Sequence, residues 1–267
     1  MHINFNSEFS YLIPNVPSDA IRLGTPGDGG YVVSRNSVMQ SDQLLSFGLG
    51  DNFSFEKHFN ELNQQAPVWI YDHTVPNLGM KYLMKSFASS VFAIQPSYFK
   101  SKIEFYKEYR KFLSKETKNK HERRRVTHCN YKPVDKSILE ILEECTSKQR
   151  IFLKIDIEGD EFKILDNIIS ARHKIMGAVI EFHNAGTHYS EFKRLVIALS
   201  EFMFLDHFHI NNYDGISREG FPEVVELSFS NRNQIIDRHP SRRLPIAELD
   251  FANTKKYEDY TISWDEN

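Results

Sequence analysis

Four short polar clusters each follow an apolar run in this sequence. They are Gly48-Leu49-Gly50-Asp51 after Gln43–Phe47, Asp72-His73 after Val68–Tyr71, Asp156-Ile157-Glu158-Gly159 after Ile151–Ile155, and Glu181-Phe182-His183-Asn184 after Gly177–Ile180. Carboxylates and an imidazole can hold hydroxyl groups, bind a cation and carry a proton. Gly48 and Gly50 let the chain turn tightly and let a ligand approach the backbone. Asp72 lies 22 residues beyond Gly50, about where an acid closes on ribose hydroxyls in nucleoside-binding folds. A dinucleotide site would want a third glycine where Phe53 stands, and Asp51 at the start of the next helix would repel a diphosphate. A sulfonium nucleoside is itself positive and tolerates that acid. The expected cofactor is therefore S-adenosylmethionine rather than NAD, with Gly48, Gly50, Asp51, Asp72 and Asp156 in its site.

Methylation of an alcohol needs the acceptor oxygen in line with the methyl group and a place for its proton. Asp156 and Glu158 alternate, so an extended chain points them to opposite sides, one into the crevice and one against a neighbouring loop. Glu158 has a second reading as a first-turn acid of the following helix. His183 is the best candidate base, because an unperturbed imidazole titrates near neutrality, and Glu181 would point the same way. Asp156, Glu158 and His183 form the expected catalytic set. His207 and His209 share one face of a late strand. With Asp156, Glu181 and His183 they could make an oxygen and nitrogen metal site, but no spacing is diagnostic and no metal ligand is assigned.

These residues need rigid elements behind them. Ile21-Arg22-Leu23 and Tyr31-Val32-Val33 flank Thr25-Pro26-Gly27-Asp28-Gly29-Gly30, the pattern of a hairpin. Strand, glycine turn and helix follow in Gln43–Phe47, Gly48–Gly50 and Ser54–Leu62. Val68–Tyr71, Val91–Ile94, Ile151–Ile155 and Gly177–Ile180 read as further buried strands. Lys136–Cys145, Glu161–Ser170 and Tyr189–Phe202 have the spacing of helices. Alternation of this kind predicts a doubly wound, mostly parallel sheet covered on both faces. Phe204–Ile210 and Val224–Phe229, joined only by a broken segment, predict an antiparallel pair at one edge. Ligands of such sheets lie beyond the carboxyl ends of the strands, where all four polar clusters fall.

One segment breaks the rhythm. From Lys100 to Arg125 there are 11 Lys or Arg against 4 Asp or Glu. Phe99, Ile103, Tyr106, Tyr109 and Leu113 recur at helical spacing within it. Residues 97–130 are expected to be a basic helical insertion over the sheet edge, either a solvated face or a surface for an anionic acceptor. The rest reads as one domain over 1–267, with a hairpin region at 1–40 and a packed tail at 231–267.

With 33 basic and 36 acidic residues the chain carries a net charge of −3, so it is no general polyanion binder. Nucleic acid is not an expected partner, since the aromatics of the basic segment fall at core spacing rather than as a stacking platform. Two cysteines, Cys129 and Cys145, make neither a disulfide framework nor a zinc spacing. Met1–Pro17 lacks the pattern of a secretory leader, no apolar run reaches membrane-spanning length, and a cytoplasmic protein is expected.

Leu153–Glu161, a strand running into Asp-x-Glu-Gly-x-Glu, resembles the most recognisable motif of the FkbM-type methyltransferases. Asp28–Val33, Ser46–Asp51, Val179–His183 and Pro222–Leu227 are similar to segments of the same superfamily. The likeness runs from about Arg22 to Ser230. It implies a class I, Rossmann-like methyltransferase fold, S-adenosylmethionine as donor, and often a sugar or polyketide-linked hydroxyl as acceptor. The expected acceptor is a sugar hydroxyl or the carboxylate of a sugar acid, on a free sugar, nucleotide sugar or polysaccharide. It also implies that the hairpin packs near the cofactor, bringing Asp28, Gly30 and Tyr31 to it. Two other readings stay open: a nicotinamide-dependent oxidoreductase, and a non-catalytic carbohydrate-binding protein on the same fold.

Overall fold

The computed structural model describes residues 1–50, 52–75, 96–114, 116–145 and 150–265. The chain begins with β1 (His2–Phe5), β2 (Asn15–Pro17), and a hairpin of β3 (Ala20–Leu23) and β4 (Tyr31–Ser34). Then come α1 (Arg35–Gln40), β5 (Gln43–Phe47), α2 (Ser54–Leu62), β6 (Val68–Tyr71), α3 (Pro96–Phe112) and β7 (Lys120–Glu122). A short pair, β8 (Arg125–Thr127) and β9 (Asp135–Ser137), leads to α4 (Ile138–Glu144), β10 (Ile151–Ile155), α5 (Glu161–Ser170) and β11 (Ile175–Phe182). The chain closes with α6 (Tyr189–Ser200), β12 (Met203–Ile210), β13 (Val225–Asn231), β14 (Arg238–Pro240), β15 (Arg243–Leu244) and β16 (Thr261–Trp264).

Among the described residues, seven strands form the central sheet in the order β7-β6-β5-β10-β11-β13-β12. The first five pair in parallel, and β13 lies antiparallel between β11 and β12. This is the Rossmann-like, doubly wound sheet with an antiparallel edge that the sequence predicts. The chain order reverses direction between β5 and β10, so the loops after these two strands diverge to opposite faces and leave a crevice between them.

Alternation along the strands divides the core in two. Leu44, Phe152 and Val179 face Phe55, Phe59 and Tyr109 on one side. Leu45, Leu153 and Ile180 face Ile141, Leu165 and Phe192 on the other. Each side chain is fully or nearly fully buried, and a shift of one residue in any strand would exchange the two faces. Ser137 starts α4 with a reciprocal capping box to Glu140.

The basic segment is not an insertion outside this plan. α3 buries Tyr109 against Phe53 and Phe112, and Lys120–Glu122 is the parallel edge strand β7. Lysines and arginines on its solvent side disguise an ordinary crossover helix and edge strand. The expected strand Val91–Ile94 lies outside the described residues, as does Asp51.

The tail pairs with strands of the first 17 residues and with itself. β16 pairs with β1, β15 pairs with β16, and β14 pairs with β2. Cys129 and Cys145 are both free thiols. Among the described residues, no helix is long and apolar enough to cross a membrane.

Candidate active site

Two adjoining hollows, each of about 310 Å³, open at the carboxyl ends of the parallel strands and share Asp28, Asp156 and Glu158. The first lies over the glycine turn and reaches Tyr71, His73 and Arg124. The second runs toward Glu181, His183, Asn211 and Tyr213. Each volume falls at the lower end of the range for small-molecule sites, about 300–1,000 Å³.

The glycine turn divides its work. Gly48 adopts a φ of 81°, and a Cβ there would stand 1.7 Å from the Asp156 carbonyl oxygen. Gly48 thus lets the loops after β5 and β10 touch. Gly50 has a φ of 58° with nothing within 4 Å of where its Cβ would be, so its bare backbone faces the first hollow. Asp72 fixes this turn. Its carboxylate accepts from the amides of Leu49 (2.7 Å) and Gly50 (3.1 Å), from the Thr74 amide and hydroxyl (2.6 Å each) and from the Val75 amide (3.2 Å). Burial pushes this carboxyl up, but the donors from Thr74, Leu49 and Gly50 outweigh that and hold it below the usual range. Five donors saturate two oxygens. Asp72 therefore shapes the turn, and it also borders the first hollow, where the sequence expects a ribose ligand.

The hairpin brings Asp28 to both hollows but not the other two residues expected with it. Arg22 donates to the carbonyls of Thr25, Gly27 and Leu249, and Asn52 donates to the Asp28 carbonyl. The Arg22 bonds close the hairpin loop and tie it to the tail, and the Asn52 bond stitches it to the start of α2. Gly30 is packed under that loop, where a Cβ would meet the Thr25 oxygen at 2.1 Å. Tyr31 is buried, and its hydroxyl donates to Glu181 at 3.0 Å. Gly30 is structural, and Tyr31 acts on the site through Glu181.

The loop after β10 departs from an extended chain. Glu158 takes a φ of 58°, and this left-handed turn brings the Asp156 and Glu158 carboxylates to the same side rather than opposite ones. One ligand atom each from Asp156, Glu158 and His183 lies within 4.8 Å of the others. The helix-cap position belongs to Asp160, not Glu158.

Glu161 holds this arrangement together. Fully buried, it accepts from the amides of Ile157 (2.9 Å) and Gly159 (3.0 Å) and pairs with His183 Nδ1 at 3.0 Å. His183 Nε2 is thereby turned toward Glu158 at 3.6 Å and Glu181 at 3.9 Å. Burial alone would lower the His183 pKa, but the bond to Glu161 and the charges of Glu161, Glu181 and Asp156 raise it to about 9. The imidazole of the free protein is protonated at neutral pH, not poised near 6.5. Glu181 moves the opposite way: burial, then the nearby Asp156 and Glu226, push its carboxyl well above the usual value.

Lys154 is the other participant that spacing alone did not single out. It is 2 % exposed, and its Nζ donates to the Gly48 carbonyl at 2.9 Å and stands 3.5 Å from Asp156 and 3.8 Å from the buried Glu56. Burial disfavours the ammonium, but Asp156, Glu56 and Glu181 together keep it charged. The signal was present in the sequence: a lysine inside Ile151-Phe152-Leu153-Lys154-Ile155, a strand with no other polar residue. Glu161 could likewise be read as the last acid of the Asp-x-Glu-Gly-x-Glu motif.

His207 and His209 do not join the cluster. His207 pairs with Asp250 at 3.0 Å, and His209 lies 3.3 Å from Glu226 and 3.5 Å from Asp259. Asp250 and Asp259 belong to the tail, so both histidines fasten the tail to the sheet.

No family model matches the chain, and no curated protein matches it by sequence. Solved structures to which it is similar include a precorrin-6y C5,15-methyltransferase from Geobacter metallireducens GS-15, at 10% identity. That alignment has a TM-score of 0.37 over 74% of this chain and 86% of the other. The fibrillarin pre-rRNA processing protein of Methanococcus jannaschii is 8% identical, with a TM-score of 0.36 over 74% and 70% of the two chains. A fibrillarin/Nop5p complex aligns at 7% identity, with a TM-score of 0.35 over 72% and 73%.

Proposed function

We propose that this chain is a class I, S-adenosylmethionine-dependent O-methyltransferase of FkbM type acting on a sugar hydroxyl, with a role in glycoconjugate assembly. The observation that carries the reading is the pair of hollows meeting at Asp156 and Glu158. One is suited to a nucleoside beside an open glycine backbone, and the other to a polar acceptor. The first fits the donor: Gly50 exposes bare backbone, and Leu49, Val126 and Ile157 supply apolar wall. Asp28, Asp72, Asp156, Glu158 and Asp160 outnumber Arg124, Arg125 and Lys154 around it, which favours a positive ligand. When bound, the donor supplies a methyl group on a positively charged sulfur, an electrophile that needs no further activation.

The second hollow suits a neutral sugar better than a sugar acid. Asp28, Asp156, Glu158, Glu181 and Asp214 border it, with Asn211 and Asn253. Carboxylates and amides accept and donate to sugar hydroxyls, and Tyr213, 69% exposed at the rim, offers a ring face. A carboxylated acceptor would meet repulsion from that border. Asp156 and Glu158 accept from the acceptor hydroxyl at the junction, and the protonated His183 ring steadies Glu158. The hydroxyl proton passes beside Glu158 to water as the oxygen forms its bond to the methyl carbon.

The oxidoreductase reading is not favoured. Phe53, where a third glycine would stand, packs against Phe105, Tyr109 and Phe112. A diphosphate at that helix start would also meet the acids of the first hollow.

Calorimetry with S-adenosylhomocysteine, followed by transfer of a labelled methyl group to a panel of neutral sugars, sugar acids and nucleotide sugars, tests the proposal. Binding and transfer to a neutral member are expected. No heat at millimolar ligand would sink the cofactor assignment.

A further inference from the structure

We propose that Asp156, Glu158 and His183 form a site for a hard divalent cation, Mg²⁺ or Mn²⁺, where the second hollow meets the first. There it would ligate neighbouring hydroxyls of the acceptor and turn one of them toward the first hollow. The acceptor's identity rests on the methyltransferase reading; the binding of the cation does not.

Geometry is the first support. The three ligand atoms lie within 4.8 Å of one another. Such cations hold oxygens at about 2.0–2.6 Å, so any two of their ligands stand no more than roughly 5 Å apart. Two carboxylates and an imidazole suit Mg²⁺ or Mn²⁺ better than a thiophilic metal. They also leave several coordination positions for water or hydroxyl oxygens.

The support around the ligands is the second. A metal-binding imidazole commonly gives its other nitrogen to a carboxylate, which fixes ring and tautomer. His183 does this: Nδ1 is bound to the buried Glu161 at 3.0 Å, and Nε2 is presented to the cluster. The same Glu161 carboxylate holds the amides of Ile157 and Gly159, the residues on either side of Glu158. One buried acid thus positions Glu158 and His183, and the buried Lys154 stands 3.5 Å from Asp156, more bracing than a solvated acidic loop requires.

Charge is the third. Asp28 and Glu181 border the same hollow, and the nearby ammonium, Lys154, is already committed to the Gly48 carbonyl, Asp156 and Glu56. A cation at the cluster would offset acids that otherwise face one another. Bound there, it makes a ligated hydroxyl more acidic. The oxygen's electron pair then forms the O–CH₃ bond, the C–S pair stays on sulfur, and the proton leaves to water at the open mouth beside Glu158.

Mn²⁺ titration of the full chain, followed by electron paramagnetic resonance with no nucleoside present, tests the site. One bound Mn²⁺, displaced by Mg²⁺, is expected. Glu158→Gly removes a ligand while suiting the left-handed backbone, so it should fold and bind Mn²⁺ at least about tenfold more weakly, the loss typical even of outer-shell partners. Asp156→Asn should weaken it similarly, with thermal melts confirming folding. Absence of bound Mn²⁺ at millimolar concentration, or equal affinity in Glu158→Gly, overturns the inference. Parallel calorimetry with S-adenosylhomocysteine separates the two proposals. Nucleoside binding without Mn²⁺ binding sinks the cation alone, and Mn²⁺ binding without nucleoside binding sinks the methyltransferase reading alone.

Discussion

Asp156 belongs to both hollows and is the only residue of the catalytic set whose backbone also supports the glycine turn, through contact with Gly48. Asp156→Asn keeps size and shape but removes the charge. It should lower the rate of methyl transfer by on the order of 10²-fold, while S-adenosylhomocysteine affinity measured by calorimetry stays within a few-fold. Equal losses in rate and in nucleoside affinity would place Asp156 in binding only. Tyr31 makes the complementary case, a residue expected at the cofactor that serves the site from behind. Its hydroxyl and the Asn211 amide supply the hydrogen bonds to the buried Glu181 carboxyl. Tyr31→Phe leaves that carboxyl short of a partner and should cost about 1–3 kcal/mol, read from the midpoint of urea unfolding. An unchanged midpoint would mean that water replaces the lost hydroxyl.

The β5–turn–α2 unit shows what element-level reading could and could not extract. Its strand, glycines and helix were legible because an apolar run, a glycine pair and a helical repeat follow one another in sequence. The two glycines nevertheless do different jobs, and only the partner loop tells them apart. Gly48→Ala drives a methyl group into the Asp156 backbone and should cost more than about 3 kcal/mol, beyond ordinary overpacking. Gly50→Ala meets no atom. It should cost only the roughly 1 kcal/mol of a left-handed alanine, and should weaken nucleoside binding instead. Thermal melts and calorimetry on both variants check the contrast; similar stabilities would refute it. The same physics explains what was hidden elsewhere. Lys120-His121-Glu122 forms a core edge strand with no apolar signature, because an edge needs only one covered side and here borrows Trp69 and Tyr71 for its lysine. Glu158 turns left-handed without being glycine, which no spacing rule foresees, and so Asp156 and Glu158 converge where alternation separates them. The protonated His183 depends on Glu161, 22 residues earlier. Tertiary structure alone makes them neighbours.

At the scale of the whole molecule, the tail is held to the sheet by charge buried under it. His209 on β12 is enclosed by Glu226 of β13 and Asp259 of the tail, with Asp250 nearby. Burial would lower its pKa, but the close carboxylates of Asp259 and Glu226 and the surrounding charge raise it to about 10. An unfolded histidine titrates near 6.5, so the folded protein binds this proton more tightly than the unfolded chain does. The stabilisation is therefore complete below about pH 6.5 and drains away as pH rises toward 10, by at most about 1.4 kcal/mol per pH unit. Lysines, tyrosines and the two thiols also titrate on the alkaline side, and a variant isolates the histidine from them. His209→Gln keeps a polar side chain without the titrating proton. It should be less stable than the parent at pH 6.5, and the gap in urea midpoint should close as both approach pH 10. A gap that stays constant across that range would show that His209 is held neutral and that packing, not charge, secures the tail.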